Sequence, residues 1–198
     1  MNGFSESDIT SVLDYWFGGA HPELNYKTKW FPTGSTDLQS KADTEVTEKF
    51  APLLARTLTL DPEAYPRSER FLTAVIIVLD QFSRHIYRSL TPDNALRKKA
   101  DALALRATGM LTSLASWDHN LSIAEFVFSL MPYRHASTVE HLNQVMTAID
   151  DRYKKEEESL ELLNKFKKQT VRRLQHLQDR AQVKNDVNDL LRRKSISL

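Results

Sequence analysis

The chain has 198 residues and a nearly balanced charge, with 27 lysines and arginines against 26 aspartates and glutamates. This length suffices for one large core, or for a domain of about 150 residues with an extension, and a formal net charge of +1 gives no overall attraction to nucleic acid or membrane. The absence of cysteine excludes disulfides, a thiol nucleophile and thiolate metal sites, and it suits a reducing compartment.

The N-terminal sequence and the hydropathy predict a soluble protein. The opening residues, MNGFSESDITS, lack the basic start and apolar core of a signal peptide. No apolar run approaches the roughly 18 residues that a membrane span needs. We therefore expect a cytoplasmic protein with no membrane partner.

Apolar periodicity predicts two helices in the first third of the chain. The first has Ser5 or Ser7 as its cap and ends at Gly18, and its apolar residues recur at helical spacing: Ile9, Val12, Leu13, Trp16 and Phe17. Prolines and glycines between residues 20 and 36 indicate a loop. A second helix follows and reaches about Arg56.

The middle of the chain predicts a buried helix followed by an amphipathic one. Ser68 is the expected cap of a central helix that continues to about Tyr87 and contains the run FLTAVIIVL at 71–79. Thr91 and Pro92 then read as the cap and first position of the next helix, which we expect to stop at Gly109.

The remaining sequence is also helical in pattern. Ser122 and Glu125, and again Ser137 and Glu140, have capping-box spacing, and no glycine or proline follows Pro132. No segment has convincing strand periodicity. We predict an all-α fold of antiparallel helical pairs, with a helical domain over residues 1–150 and a long basic helical extension over 151–198.

The predicted terminal helix combines an apolar seam with positive charge. Its heptad-like seam consists of Leu163, Phe166, Thr170, Leu174, Leu177 and Ala181. From residue 162 to 198 there are ten lysines and arginines against three acidic residues. The seam allows docking on the body of the protein, a coiled-coil partner or a homo-oligomer. The charge allows contact with nucleic acid, for which the candidates are Lys167, Lys168, Arg172 and Arg173.

A dense polar cluster follows the apolar run of the central helix. Asp80 and Arg84 are four residues apart and can form an ion pair on one helix face. On an adjoining face, Gln81, His85 and Arg88 recur at i, i+4 and i+7. The arginines and the amide suit an anionic ligand, but a buried Asp–Arg pair also commonly fixes helix packing, and both interpretations remain open.

Other chemistry in the sequence is sparse. The six histidines show no HExxH motif and no paired metal spacing, so we expect no metal site and no cofactor. His135, at a predicted helix entrance after Pro132, is best placed to face a cleft. It is a candidate for acid–base chemistry together with Asp80, although a structural histidine is the alternative.

Several sequence blocks resemble the domain-of-unknown-function family numbered 924. They fall in its order and spacing over roughly residues 8 to 145: VLDYWFG (12–18), KWFP (29–32), LDQFSRHIYR (79–88), ALRKKADALALRATG (95–109) and FSLMPYRHAS (128–137). The resemblance implies an all-helical fold of the tetratricopeptide-like type and implies no particular activity. The terminal region, with KFKKQTVRRLQHLQ, diverges from the family pattern.

The matching motifs imply a shared pocket that contains Asp80, Gln81, Arg84, Arg88 and His135, beside which His85 and Arg134 are further ligand-binding candidates. Three kinds of function therefore remain open. The first is a helical scaffold that offers a groove to a protein or peptide. The second is an enzyme or binder of a small anionic molecule at this cluster, and the third is binding of RNA or aminoacyl-RNA by the basic helix.

Overall fold

The structure of the protein is a computed structural model, and it describes residues 3–18, 25, 29–30, 36–91, 93–115, 117–154 and 161–195, with side chains in the last range through Lys184. These residues are predominantly helical and contain no strand. The predicted all-α class is thereby confirmed. No described helix is long and apolar enough to cross a membrane.

The helices follow one another with short connections along most of the chain. In chain order they are α1 (Glu6–Phe17), α2 (Thr36–Thr57), a 3₁₀ turn (Pro62–Ala64), α3 (Glu69–Ile76), a π-helical stretch (Ile77–Phe82), α4 (Ser83–Ile86), α5 (Ala95–Thr112), α6 (Ile123–Ser129), α7 (Met131–Ala136), α8 (Val139–Tyr153) and α9 (Glu161–Ser195). Most of the predicted loop between residues 20 and 36 lies outside the described residues.

Three predicted helix starts are formed as expected. The Ser5 side chain accepts a hydrogen bond from the backbone amide of Asp8, whose carboxylate reaches back to Ser5. The same reciprocal capping box joins Ser122 and Glu125 at the start of α6. Ser68 caps α3 by accepting from the amide of Phe71. Each side chain satisfies an amide that the first helical turn leaves without a partner.

Two predicted caps and one predicted stop are wrong. Asn94, rather than Thr91, caps α5 by accepting from the Leu96 amide. Thr138, rather than Ser137, caps α8, because Ser137 adopts a left-handed conformation with φ 54° and an N-cap needs extended backbone. Helix α5 also continues through Gly109 to Thr112. Packing decides this, since Leu111 beyond the glycine is fully buried.

The central helix, formed by α3, the π-helical stretch and α4, is buried on all sides. Every residue from 71 to 83 is buried, and the helix contacts α1, α2, α5 and α6. A helix with apolar residues on every face is stable only when other helices cover all of its faces. Phe82 anchors it, because its ring stacks on Phe50 at 4.4 Å between centroids and meets Trp16 edge to face at 5.5 Å.

The chain divides into two compact units, residues 1–132 and 133–198. The first holds the central helix and its neighbours. In the second, α8 packs on α9 through the buried side chains of Leu142, Val145 and Ile149 on α8 and of Leu163 and Phe166 on α9. The boundary predicted at residue 150 falls inside α8, and the proposed division at that position stays a prediction.

Candidate functional site

The polar end of the central helix carries the candidate site. A π-helical stretch from Ile77 to Phe82 contains its first two members, Asp80 and Gln81, where the sequence predicted an uninterrupted α-helix. A π-helical turn holds more residues than an α-turn and therefore rotates the following side chains about the axis. In the structure the cluster meets two partners, helix α5 on one side and helix α2 on the other.

On the α5 side, Arg84 joins two carboxylates. Its Nη2 lies 3.0 Å from Asp80 Oδ1 and 2.8 Å from Asp101 Oδ1. Asp80 is only 1% exposed, so its charge depends on this partner. The intrahelical ion pair that the sequence allows is formed, and Asp101 of α5 extends it into a contact between helices.

The pKa of Arg84 reflects this environment. Burial by itself lowers the pKa of the guanidinium, but the charges of Asp80 and Asp101 and their hydrogen bonds outweigh burial and raise it. The positive charge of Arg84 is therefore fixed and is balanced within the protein. This arrangement supports the packing interpretation of Asp80 and Arg84 and leaves Arg84 poorly suited to hold an external anion.

Gln81 belongs to the same group. Its amide Nε2 donates to Asp80 Oδ2 at 2.5 Å, and the residue is 8% exposed. The predicted role of Gln81 as an orienting amide for a ligand stays a prediction. In the structure the amide satisfies a buried carboxylate, as a buried charge requires.

On the α2 side, Asp43 holds three side chains. Its Oδ1 lies 2.8 Å from Nδ1 of His85 and accepts from the amide of Gln39, also at 2.8 Å. Its Oδ2 accepts from Nε of Arg88 at 2.6 Å. His85, in the last turn of the central helix, and Arg88, in the turn that follows, thus share one carboxylate of α2, which fixes the helix end against α2.

This geometry defines the protonation of His85. Burial lowers the pKa of the imidazole below its usual value of 6.5, and it outweighs the hydrogen bond and charge of Asp43, which act in the opposite direction. The ring is therefore neutral at pH 7. Since the carboxylate of Asp43 accepts in this hydrogen bond, Nδ1 of His85 carries the hydrogen and Nε2 is the basic nitrogen.

His85 and Arg88 also line an open cleft of about 450 Å³ between α2 and the end of the central helix. The remaining lining residues come from α2, from the end of α4 and from the turn that follows it, and they are mostly polar: Asp43, Thr44, Thr47, Glu48, Ile86 and Ser89. The cleft brings together a proton acceptor, a guanidinium, hydroxyl groups and two carboxylates.

Arg134 and His135 lie in the second unit, on helix α7. The guanidinium of Arg134 stands 5.8 Å from the centre of the Phe166 ring of α9, within the range of a cation–π interaction. The predicted joint pocket of His135 with Asp80 and Arg84 stays a prediction, as does a proton-transfer role for Asp80 or His135.

The four nucleic-acid candidates lie on α9. Lys167 is bound to Asp150 of α8 at 2.7 Å, whereas Lys168 and Arg172 are exposed and Arg173 is half-buried. The apolar seam of this helix changes along its length. Leu163, Phe166 and Thr170 are buried, Leu174 and Leu177 are half-buried, and Ala181 is exposed.

The sequence analysis did not identify two members of the polar cluster. Asp43 and Asp101 lie 42 and 17 residues from the side chains they bind. Each is an ordinary polar residue in an amphipathic helix and carries no local signal. Among the residues that the structure describes, no three histidine, aspartate or glutamate side chains are grouped in a way that could hold a metal ion.

The fold and this cluster define an all-α protein with a buried polar network at the end of its central helix. The chain belongs to the family described as "Bacterial protein of unknown function (DUF924)", whose family model matches residues 12–193. The match confirms the predicted family and continues through α9, well beyond the predicted limit near residue 145. No curated protein and no solved structure matches the chain. The tetratricopeptide-like assignment stays a prediction.

Proposed function

We propose that the protein is a helical interaction protein and that α9 binds an acidic amphipathic helix of a partner. One observation carries the proposal: the apolar seam of α9 continues beyond Thr170, its last buried member. Helix α9 has 35 residues and α8 has 15, which correspond to lengths of about 52 and 22 Å. More than half of α9 therefore extends beyond the length of its neighbour.

The exposed part of the seam has the composition of a helix interface. Beyond Thr170 the seam holds the half-buried Leu174 and Leu177 and the exposed Ala181, and beside it Val171 is 45% exposed. Apolar side chains at helical spacing that stay half-buried or exposed among the described residues favour a partner helix laid along them.

Charge indicates the nature of that partner. From residue 161 to 184, α9 carries seven lysines and arginines and two acidic residues. Two copies of this helix would repel each other, because like charges would flank the seam on both sides. An acidic helix would be attracted, and flanking charge sets partner choice in helix pairs. We therefore expect the partner of this scaffold to contribute an acidic helix to the interface.

A designed helix provides the test. The probe is a synthetic 28-residue peptide with leucine at the a and d positions and glutamate at e and g, and the matched control peptide has lysine at e and g. We expect the full chain to bind the glutamate peptide by isothermal titration calorimetry and to ignore the lysine peptide. Leu177→Ser should weaken binding at least tenfold, whereas Leu96→Ser, which changes an exposed leucine of α5, should leave it unchanged.

Three outcomes would overturn the proposal. The first is equal binding of both peptides, or of neither. The second is binding of a uridine 20-mer at 0.15 M salt without binding of the glutamate peptide, which would favour nucleic acid. The third is concentration-dependent dimerisation in sedimentation velocity that Leu177→Ser abolishes, again without peptide binding. That result would make the seam a contact between copies of this chain.

A further inference from the structure

The cleft between α2 and the end of the central helix has an acceptor in its wall. His85 is only 7% exposed, yet it lines the cleft. Within the described residues the sole hydrogen bond of its ring is the one between Nδ1 and Asp43. Nε2 is therefore a basic nitrogen, held in place by a carboxylate behind it, with its lone pair left for a group that enters the cleft.

The orientation of this ring is fixed from several sides. Asp43 is itself held by Gln39 and Arg88, and the imidazole meets the ring of Trp16 edge to face at 5.9 Å. Side chains held in this way present their polar atoms to a ligand with little loss of conformational entropy on binding. The arrangement is that of a preformed site.

The charges of the cleft favour a hydrogen-bond donor with positive charge. Asp43 and Arg88 neutralise each other, and His85 is neutral. Glu48 is exposed and forms no ion pair within the described part of the chain. The unbalanced charge of the cleft is therefore the carboxylate of Glu48, which repels an anion and attracts a cation.

An adjoining cleft extends this negative character. It has a volume of about 550 Å³, shares Thr44 and Glu48 with the first, and adds Asp37 and Glu45 together with a single cation, Lys41. Glu45 is bound to Lys49 at 3.0 Å and Glu48 faces the first cleft as well, so Asp37 is the carboxylate that remains for a second positive group. A short chain with a cationic group at each end matches the two clefts.

We propose that this cleft binds a primary alkyl ammonium group, which donates hydrogen bonds to Nε2 of His85 and to the carboxylate of Glu48. The adjoining cleft takes a second ammonium group when the ligand is a linear diamine. This ligand differs in sign from the anion that the sequence allowed at the same cluster, because Arg84 and Arg88 bind carboxylates that include Asp101 and Asp43, which the sequence did not reveal. The site lies in the first unit and is independent of helix binding by α9.

Four small probes distinguish the contribution of charge to binding from that of hydrogen bonding. They are butane-1,4-diamine, Nα-acetyl-lysine amide, butane-1,4-diol and succinate, each titrated at pH 7.5 into the full chain. The readout is a long-range ¹H–¹⁵N spectrum of the histidine rings, which reports the state of His85 Nε2 directly. We expect the diamine to shift Nε2 of His85 and the diol and succinate to leave it in place. A response to the lysine amide as well would identify lysine side chains as a second source of the ligand.

Two variants connect the response to the cleft. Glu48→Gln should weaken diamine binding about tenfold, since it removes one charge-assisted hydrogen bond. Glu140→Gln, at an exposed carboxylate of the second unit, should leave binding unchanged. Because Glu48 is exposed, neither variant threatens the fold. The proposal is overturned if no probe shifts Nε2, if the diol shifts it as much as the diamine, if succinate binds, or if Glu48→Gln has no effect.

Discussion

Nδ1 of His85 donates to the carboxylate of Asp43 over 2.8 Å, although 42 residues separate the two in the chain. The contact joins the end of the central helix to α2. The same carboxylate binds Arg88, so a single residue of α2 determines how both polar side chains are oriented. The stability of this junction and the availability of Nε2 in the cleft have one cause.

Replacement of that carboxylate should destabilise the protein. Asp43→Asn keeps the size of the side chain but removes the charge that His85 and Arg88 share. We expect the free energy of unfolding to fall by about 1.5–3 kcal/mol, the range for hydrogen bonds that involve charged groups. Urea denaturation provides the measurement, with Glu48→Gln as the control of unchanged stability. An Asp43→Asn protein as stable as the parent would show that the junction contributes nothing.

The pair on the α5 side should be the more sensitive. Arg84→Met leaves Asp80 charged and buried without its cation, which costs roughly 3–5 kcal/mol in comparable cases. Lys98→Met removes an exposed partner of Asp93 and should cost less than about 1 kcal/mol. The comparison uses chemical denaturation at pH 7. Equal effects of the two substitutions would mean that Asp80 and Arg84 do not fix the packing of α5.

The buried imidazole predicts a pH dependence of stability. Folding lowers the pKa of His85 below 6.5, so the unfolded chain takes up a proton in a range where the folded ring resists it. The free energy of unfolding is then highest above pH 6.5 and falls as the pH drops toward the pKa of the folded ring. Denaturation midpoints between pH 5 and 8 should show this slope.

Two variants assign that slope to one ring. His85→Gln should flatten it, and His176→Gln, at an exposed position of α9, should preserve it. Retention of the full slope in His85→Gln would place its origin in another group. The sign also matters, since a rise in stability on acidification would contradict the burial of a neutral imidazole.

The π-helical stretch predicts tolerance of proline at position 83. The amide of Ser83 bonds to Val78 O, five residues back, and its hydroxyl occupies Leu79 O at 2.6 Å. Proline at position 83 would remove these two hydrogen bonds, which costs about 1–2 kcal/mol. It would break no α-helical bond between the amide of residue 83 and the carbonyl of residue 79, because the amide bonds to residue 78 instead. Ala104→Pro in the interior of α5 should cost about 3 kcal/mol or more. Thermal denaturation of both variants tests this difference, which an equal loss would contradict.

Local structure could be predicted wherever a side chain acts on its own backbone neighbours. The caps at Ser5, Ser68 and Ser122 and the pair Asp80–Arg84 each depend on residues within four positions of one another. The cap expected at Ser137 failed because two adjacent residues suit an N-cap equally well. The turn that ends α7 places Ser137 in left-handed backbone and leaves the cap to Thr138.

The sequence by itself determined that the protein is all-helical, that a buried helix ends in a polar cluster, and that the chain belongs to its family. These properties follow from periodicity, capping and motif order, all of which are local along the chain. Only the tertiary structure decided which side chains neutralise that cluster. Helix packing brings the carboxylates of Asp43 and Asp101 to the cluster. Hydrophobic contacts drive the packing of α2 and α5, and the sequence pattern of these helices does not show which of their polar residues will meet the cluster.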